Sequence, residues 1–247
     1  MVYFVGAGPG AKDLITVRGM KLLQCADIVI YAGSLVNTEV LDFCKPGCQI
    51  HDSSRLTLEE VIKIISDGED SSKYIVRLHT GDPSLFGAVR EQMDELDRLH
   101  IPYESCPGVS SLGGAAASLN LEYTLPGVSQ KVIITRTPGK TPVPEGSTIV
   151  YFLSSSHGDK VERELRNEGF SLETPVAVVY KATWPDEKVL YCRLGDLEAT
   201  LASSGISKTA LIIAGDVVGK YNYDRSRLYS PDFETEYRKA KTYTKKQ

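Results

Sequence analysis

The chain has 247 residues, of which 42% are hydrophobic and 24% charged, with a net charge of −4. That length carries one large or two small domains with ample core, and the slight acidic excess argues against a generic nucleic-acid surface. No window approaches ~18 consecutive apolar residues, which argues against a membrane span.

The chain opens at once on a strand-like run, Val2-Tyr3-Phe4-Val5, without the charged, apolar and cleavage regions of a secretory signal. The expected location is the cytoplasm. Val2–Gly6 predicts a strand buried on both faces. Thr16 stands as an N-cap to a helix whose Val17, Met20 and Leu23 fall near one face. Asp27–Tyr31 predicts a second strand. Leu58, Val61, Ile62 and Ile65 recur at i, i+3, i+4 and i+7, the spacing of an amphipathic helix. Tyr74–His79 predicts a third strand, Val89, Met93, Leu96 and Leu99 mark another helix, and Tyr103–Cys106 is a short strand. Strands separated by helices imply βαβ units and a mainly parallel sheet. The small residues of Ser110–Leu119 let a backbone or a flat ligand come close, or else pack tightly in a core.

Leu125-Pro126-Gly127 reads as a boundary. Beyond it, Lys131–Arg136 predicts a strand, Thr137–Gly146 a loop, Thr148–Leu153 a strand and Ser156–Gly169 a helix. Pro175–Lys181 and Lys188–Leu194 read as strands about a hairpin-like turn at Trp184-Pro185-Asp186. Asp196–Ser204 predicts a helix and Ala210–Ala214 the last strand. The expected fold is therefore α/β, with two tandem domains and a ligand cleft between them. Residues 1–124 carry a parallel sheet, 125–230 a mixed sheet, and 231–247 a polar tail. The basic stretch Arg238 to Lys246 reads as a solvated extension.

The five cysteines are scattered, against a disulfide framework. Cys44, Cys48 and His51 are metal-ligand types. However, no fourth ligand and no CxxC pair accompanies them, so the segment reads as a plain loop and no metal is expected.

Two glycine loops stand out. Gly6-Ala7-Gly8-Pro9-Gly10 follows a strand and precedes a helix, but it reads GxGxG rather than GxGxxG. The next strand ends in Tyr31-Ala32-Gly33, without a carboxylate for a ribose diol, and Pro9 removes a donor. Alone, this loop is a tight turn. The second loop, Thr80-Gly81-Asp82-Pro83-Ser84-Leu85-Phe86-Gly87, lies at the C-terminal end of a predicted parallel strand, where open α/β sheets bind ligands. Gly81 permits a positive φ or a close approach, Pro83 stiffens the turn, and Asp82 stands where a carboxylate caps a following helix.

From about Val2 to Val218 the chain resembles the tetrapyrrole methylases, the class III S-adenosylmethionine methyltransferases. The resemblance is carried, in order, by Gly6–Gly10 with Asp13-Leu14-Ile15-Thr16, Ala26–Tyr31, Gly81-Asp82-Pro83 with Gly87, and Pro107-Gly108-Val109-Ser110-Ser111. Within the family, Tyr31–Val36, Arg136–Glu145 and Val179–Lys188 resemble the precorrin-4 C11-methyltransferases. Ala32 stands where uroporphyrinogen methylases usually carry Asp. The loop His51–Arg55 departs from the C11 pattern.

The resemblance implies methylation of C11 of precorrin-4, with or without cobalt, in cobalamin synthesis, from S-adenosylmethionine and with S-adenosylhomocysteine as product. Another precorrin or uroporphyrinogen III is the alternative substrate, and a non-enzymatic binding module a third reading. The resemblance also implies a homodimer. It implies cofactor contacts at Pro9, Thr80, Gly81, Asp82, Leu85, Ser110 and Ser111 in the first domain and at Leu153 and Ala182 in the second. The adenine would lie against Leu153, Ala182 and Ala214. The N-terminal glycine loop, with Gly8, and Ser34 would face the tetrapyrrole. The substrate's acetates and propionates call for cations, and Arg55, Arg136 and Lys181 are the candidates. No catalytic nucleophile or triad is expected.

Overall fold

The computed structural model describes residues 1–137, 142–144, 146–219 and 222–241. Its framework is two five-stranded sheets.

The first sheet is built from β1 (Val2–Gly6), β2 (Ile28–Tyr31), β3 (Gln49–Asp52), β4 (Ile75–His79) and β5 (Tyr103–Cys106), in the order β3-β2-β4-β1-β5. Every pairing is parallel. Between the strands run α1 (Val17–Cys25), α2 (Leu58–Asp70) and α3 (Arg90–Arg98), and α4 (Ser111–Leu119) follows β5. Alternate residues of a strand face opposite sides, and here both sides are apolar. Val5, Leu23, Val29, Val76 and Leu78 close one face. Phe4, Ile30, Ile65, Ile75 and Leu96 close the other. Each such aliphatic side chain contributes about 1.5–3 kcal/mol by its burial. Helix starts follow local chemistry. The Thr16 hydroxyl accepts from Gly19 N at 3.0 Å, and Thr57 with Glu60 forms a capping box.

The second sheet contains β6 (Lys131–Thr135), β7 (Ser147–Tyr151), β8 (Pro175–Tyr180), β9 (Lys188–Arg193) and β10 (Ala210–Ala214), in the order β6-β7-β10-β8-β9. β6 and β7 are parallel, whereas β10 runs antiparallel to both β7 and β8. The sheet is therefore mixed, as the hairpin pattern predicts. Helices α5 (Gly158–Asn167) and α6 (Leu197–Ser204) cover one face through Val161, Leu165, Leu197 and Leu201.

The other face of this sheet packs on α4. Val150, Phe152, Val179, Leu211 and Ile213 share a core with Ala115, Leu112 and Leu119. The small-residue helix is thus a core element joining the two sheets. A Cβ on Gly114 would come within 2.7 Å of Pro9 Cβ, so this crossing requires glycine.

Strand ends differ slightly from expectation. β7 stops at Tyr151 and β8 at Tyr180, because Leu153 and Lys181 take left-handed backbone angles, φ 51 and φ 49. The basic C-terminal stretch is not simply solvated at its start. Arg238 Nη2 donates to the carbonyls of Leu228, Ser230 and Phe233 at 2.7, 2.8 and 3.2 Å. The rest of that stretch, 242–247, and residues 138–141 and 145 of the Thr137–Gly146 loop lie outside the described residues. Among the described residues no helix is long and apolar enough to cross a membrane.

Candidate functional site

β1, β4 and β5 are neighbours in the first sheet, so the loops leaving their C-terminal ends meet. The two glycine loops are joined directly. Gly81 N donates to Gly8 O at 2.8 Å and Gly8 N to Gly81 O at 3.3 Å. Both residues have positive φ, 84 for Gly8 and 60 for Gly81. The third loop completes the junction, with a Cβ on Gly108 falling 2.1 Å from Gly81 O. A side chain is excluded at Gly108 by contact and disfavoured at Gly81 by its positive φ.

Asp82 caps no helix. The residues after it form turns, and α3 begins only at Arg90. Its Oδ1 accepts from Ser84 N at 2.9 Å and its Oδ2 from Gly108 N at 2.8 Å. The carboxylate thus ties the second glycine loop to the third. Burial works against its charge, but the bonds from Ser84 and Gly108 outweigh that and hold its pKa below the usual value.

A cavity opens beside this junction and continues onto the second sheet. Its lining includes Pro9, Thr80, Gly81, Asp82, Leu85, Ser110 and Ser111 from the first half, and Leu153 and Ala182 from the second. All nine residues implied by the resemblance as cofactor contacts therefore share one cavity, and Lys181 joins them.

The expectation for Ala214 is corrected. Ala214 is fully buried and lies at the far end of β10. Because β10 runs antiparallel to β8, its N-terminal end meets the cavity, and Thr209, Ala210 and Leu211 line it instead. Gly8, Ser34 and Arg55, expected at the tetrapyrrole and not at the cofactor, lie outside this lining. Gly8 is spent on Gly81, and Ser34 and Arg55 are exposed at the ends of β2 and β3. Sequence reasoning missed Leu35, Phe86, Phe152 and Val179. Phe86 lay within the second glycine loop and was readable there, but Phe152 and Val179 follow only from sheet packing.

The two halves are clasped over the first glycine loop. Trp184 Nε1 donates to Pro9 O and Ala11 N to Thr183 Oγ1, each at 3.0 Å. Gly10 lets the indole sit against the backbone, since a Cβ there would lie 2.1 Å from Trp184 Cδ1.

Of the expected cations, Lys181 is already paired with Asp186 at 2.6 Å and lies 4.9 Å from the Trp184 ring centroid. Arg136 lies 5.9 Å from the Phe86 ring centroid. The Cys44–His51 segment behaves as a loop leading into β3. Burial, then the neighbouring Cys48, pushes the Cys44 thiol up to about 12, and no group of three ligating side chains converges among the described residues.

A parallel sheet and a mixed sheet sharing one core helix, with a cavity across the glycine-loop junction, define an α/β protein built around a ligand cleft. The model of the tetrapyrrole (corrin/porphyrin) methylases matches residues 1–198, and the chain belongs to that family. It is 49% identical over 97% of its length to the cobalt-precorrin-4 C(11)-methyltransferase of Methanocaldococcus jannaschii, covering 96% of that protein. It is 44% identical over 97% of its length to the enzyme of the same name from Priestia megaterium, covering 98% of it. Among solved structures, it resembles a cobalt precorrin-4 methyltransferase at 45% identity and a TM-score of 0.82, covering 89% of this chain and 96% of that one. It also resembles the uroporphyrin-III C-methyltransferase of Thermus thermophilus complexed with S-adenosylhomocysteine, at 28% identity and a TM-score of 0.73, over 88% and 93% of the two chains.

Proposed function

We propose that the chain transfers a methyl group from S-adenosylmethionine to C11 of precorrin-4, as a step of cobalamin biosynthesis, with the cobalt-containing ring as substrate. The observation that carries the methyl-donor part is the single cavity shared by all nine expected contact residues. Its lining suits that molecule. Leu153, Val179, Ala182 and Leu211 offer an apolar wall for a flat base, and Thr80, Asp82, Ser110 and Ser111 offer polar atoms for the amino acid and ribose. The C11 assignment is supported by the two relatives named above, which match this chain over nearly its whole length.

When bound, S-adenosylmethionine supplies an electrophilic methyl group on a sulfonium centre. The residues of the chain contribute alignment. The Gly8–Gly81 junction and the Asp82–Gly108 bond fix the loop at the cavity floor, and the Trp184–Pro9 bond fixes the second half over it. Such positioning lowers a barrier by about 7–11 kcal/mol at most. A homodimer and a cytoplasmic location belong to the same reading.

The test is an incubation with methyl-labelled S-adenosylmethionine and a set of precorrins, with and without cobalt, followed by NMR location of the label. Label at C11 is expected. Label at another carbon, or none, overturns the assignment.

A further inference from the structure

Arg77 and His79 project from the same face of β4 and are only 6% and 5% exposed. The guanidinium is held rigidly. Its Nε donates to Gln92 Oε1 at 2.9 Å, and Nη1 donates to the carbonyls of Ile30 at 3.2 Å and Leu78 at 3.4 Å. Gln92 is itself anchored, with Nε2 donating to Ala88 O at 2.9 Å. Among the described residues, Nη2 makes no hydrogen bond and no carboxylate forms an ion pair with Arg77. Burial pulls its pKa down to about 10, so it stays charged at neutral pH. A buried charge without a counter-ion is costly, and retaining one signals a partner from outside the chain.

His79 adds a second, independent sign. Its Nε2 is buried with no hydrogen-bond partner, and native interiors leave few such atoms unpaired. Both residues line a second cavity of about 300 Å³, bounded by α2, α3 and the second glycine loop. Glu91 also lines it, but it is exposed and does not reach Arg77. This cavity shares Leu35, Thr80, Leu85 and Phe86 with the first, so the two cavities adjoin.

We propose that the second cavity is a carboxylate subsite, which takes one acetate or propionate arm of the substrate macrocycle against Arg77 and His79. The subsite rests on the tetrapyrrole reading given above and deepens it. The rigid guanidinium presents its free nitrogen to a planar carboxylate, and the arm so held sets which ring carbon faces the methyl donor.

The test uses uroporphyrin III, a stable carboxylate-rich tetrapyrrole, with binding read by fluorescence, and S-adenosylhomocysteine, with binding read by calorimetry. Arg77→Gln should weaken uroporphyrin binding about tenfold or more, Arg77→Lys should restore part of it, and S-adenosylhomocysteine affinity should be unchanged. If Arg77→Gln fails to fold, His79→Phe carries the test. It keeps a ring to stack on Phe4, where the centroids are now 6.0 Å apart, and removes both nitrogens. It should weaken uroporphyrin binding several-fold.

Undiminished uroporphyrin binding in the folded variants overturns the subsite while leaving the methyltransferase reading intact. A parallel loss of S-adenosylhomocysteine affinity assigns the charge to the methyl donor's own carboxylate and overturns it also. A wild-type protein that binds no uroporphyrin overturns the subsite, and the labelling experiment above decides the methyltransferase reading separately.

Discussion

Asp82 Oδ2 accepts from Gly108 N at 2.8 Å, across 26 positions of sequence. This bond ties the loop after β4 to the loop after β5, and both loops border the same cavity. Asp82→Ala removes a charged acceptor and leaves Gly108 N without its partner, which costs about 1.5–3 kcal/mol. Asp82→Asn keeps an acceptor oxygen but cannot serve both N–H groups with charge, so it should fall between. The contribution also depends on pH. The folded pKa lies below the unfolded 3.8, so the stabilisation is present above about pH 4 and lost as pH falls through the folded value. Urea unfolding of wild type and Asp82→Ala at pH 7 and pH 3 checks this, since the gap between them should narrow in acid.

Gly108 and Gly113 should respond in opposite ways to alanine. A Cβ at Gly108 would overlap Gly81 O at 2.1 Å and Gly6 Cα at 2.7 Å, both backbone atoms that cannot swing aside. At Gly113, inside α4, the nearest atom is Val109 Cγ1 at 3.9 Å, an ordinary contact. Gly108→Ala should therefore lower the melting temperature and abolish S-adenosylhomocysteine binding, whereas Gly113→Ala should gain about 0.5–1 kcal/mol from helix propensity. Calorimetric melting of the two variants settles the matter. If Gly108→Ala melts with the wild type, the close three-loop junction is refuted. Gly81 itself is a poorer probe of cofactor occlusion. Its φ of 60 means that Gly81→Trp strains the backbone as well as filling the cavity.

Trp184 joins the halves in two ways, by the Nε1 bond to Pro9 O and by contact with Gly10. Trp184→Phe should lose the hydrogen bond alone, about 1 kcal/mol. Trp184→Ala should also lose the packing, about 2 kcal/mol more for a half-buried ring given ~3–5 for full burial. Both should loosen S-adenosylhomocysteine binding, with Ala the worse, because the Ala182–Thr183 wall would no longer be held over Pro9. Equal affinities in wild type and Trp184→Ala would show that the clasp does not shape the cavity.

Much of this was legible in the sequence because the signals are local. β-branched runs mark the strands, Thr16 sits where a cap is needed, and glycine loops follow two parallel strands. The nine expected cavity residues fall in the loops that follow strands or at a helix start, positions that a motif can mark. The failures are of another kind. Ala214 was misplaced because adjacency in sequence does not reveal strand direction, and an antiparallel β10 turns its other end to the cavity. Asp82 was read as a cap because the acceptor's partner, Gly108, is remote. Phe152 and Val179 line the cavity from the sheet face that packs on α4, a contact between elements remote in sequence. Long-range pairing decides these cases, and no local pattern encodes it.

His79 makes the second cavity sensitive to acid in a direction that can be worked out. Burial, then the charge of Arg77, lowers its pKa from 6.5 to about 3, so the folded protein keeps the ring neutral while the unfolded chain protonates it below about 6.5. The unfolded state then binds the extra proton between those values, and stability falls as pH drops from about 6.5 to about 3 at roughly 1.4 kcal/mol per pH unit. Above 6.5 the residue contributes no slope. His79→Phe cannot take up that proton in either state and should flatten this part of the profile. Comparing unfolding free energies of wild type and His79→Phe at pH 7, 5.5 and 4.5 reads the effect directly. Parallel profiles would mean that His79 titrates in the folded protein, against the lowering that burial and Arg77 produce.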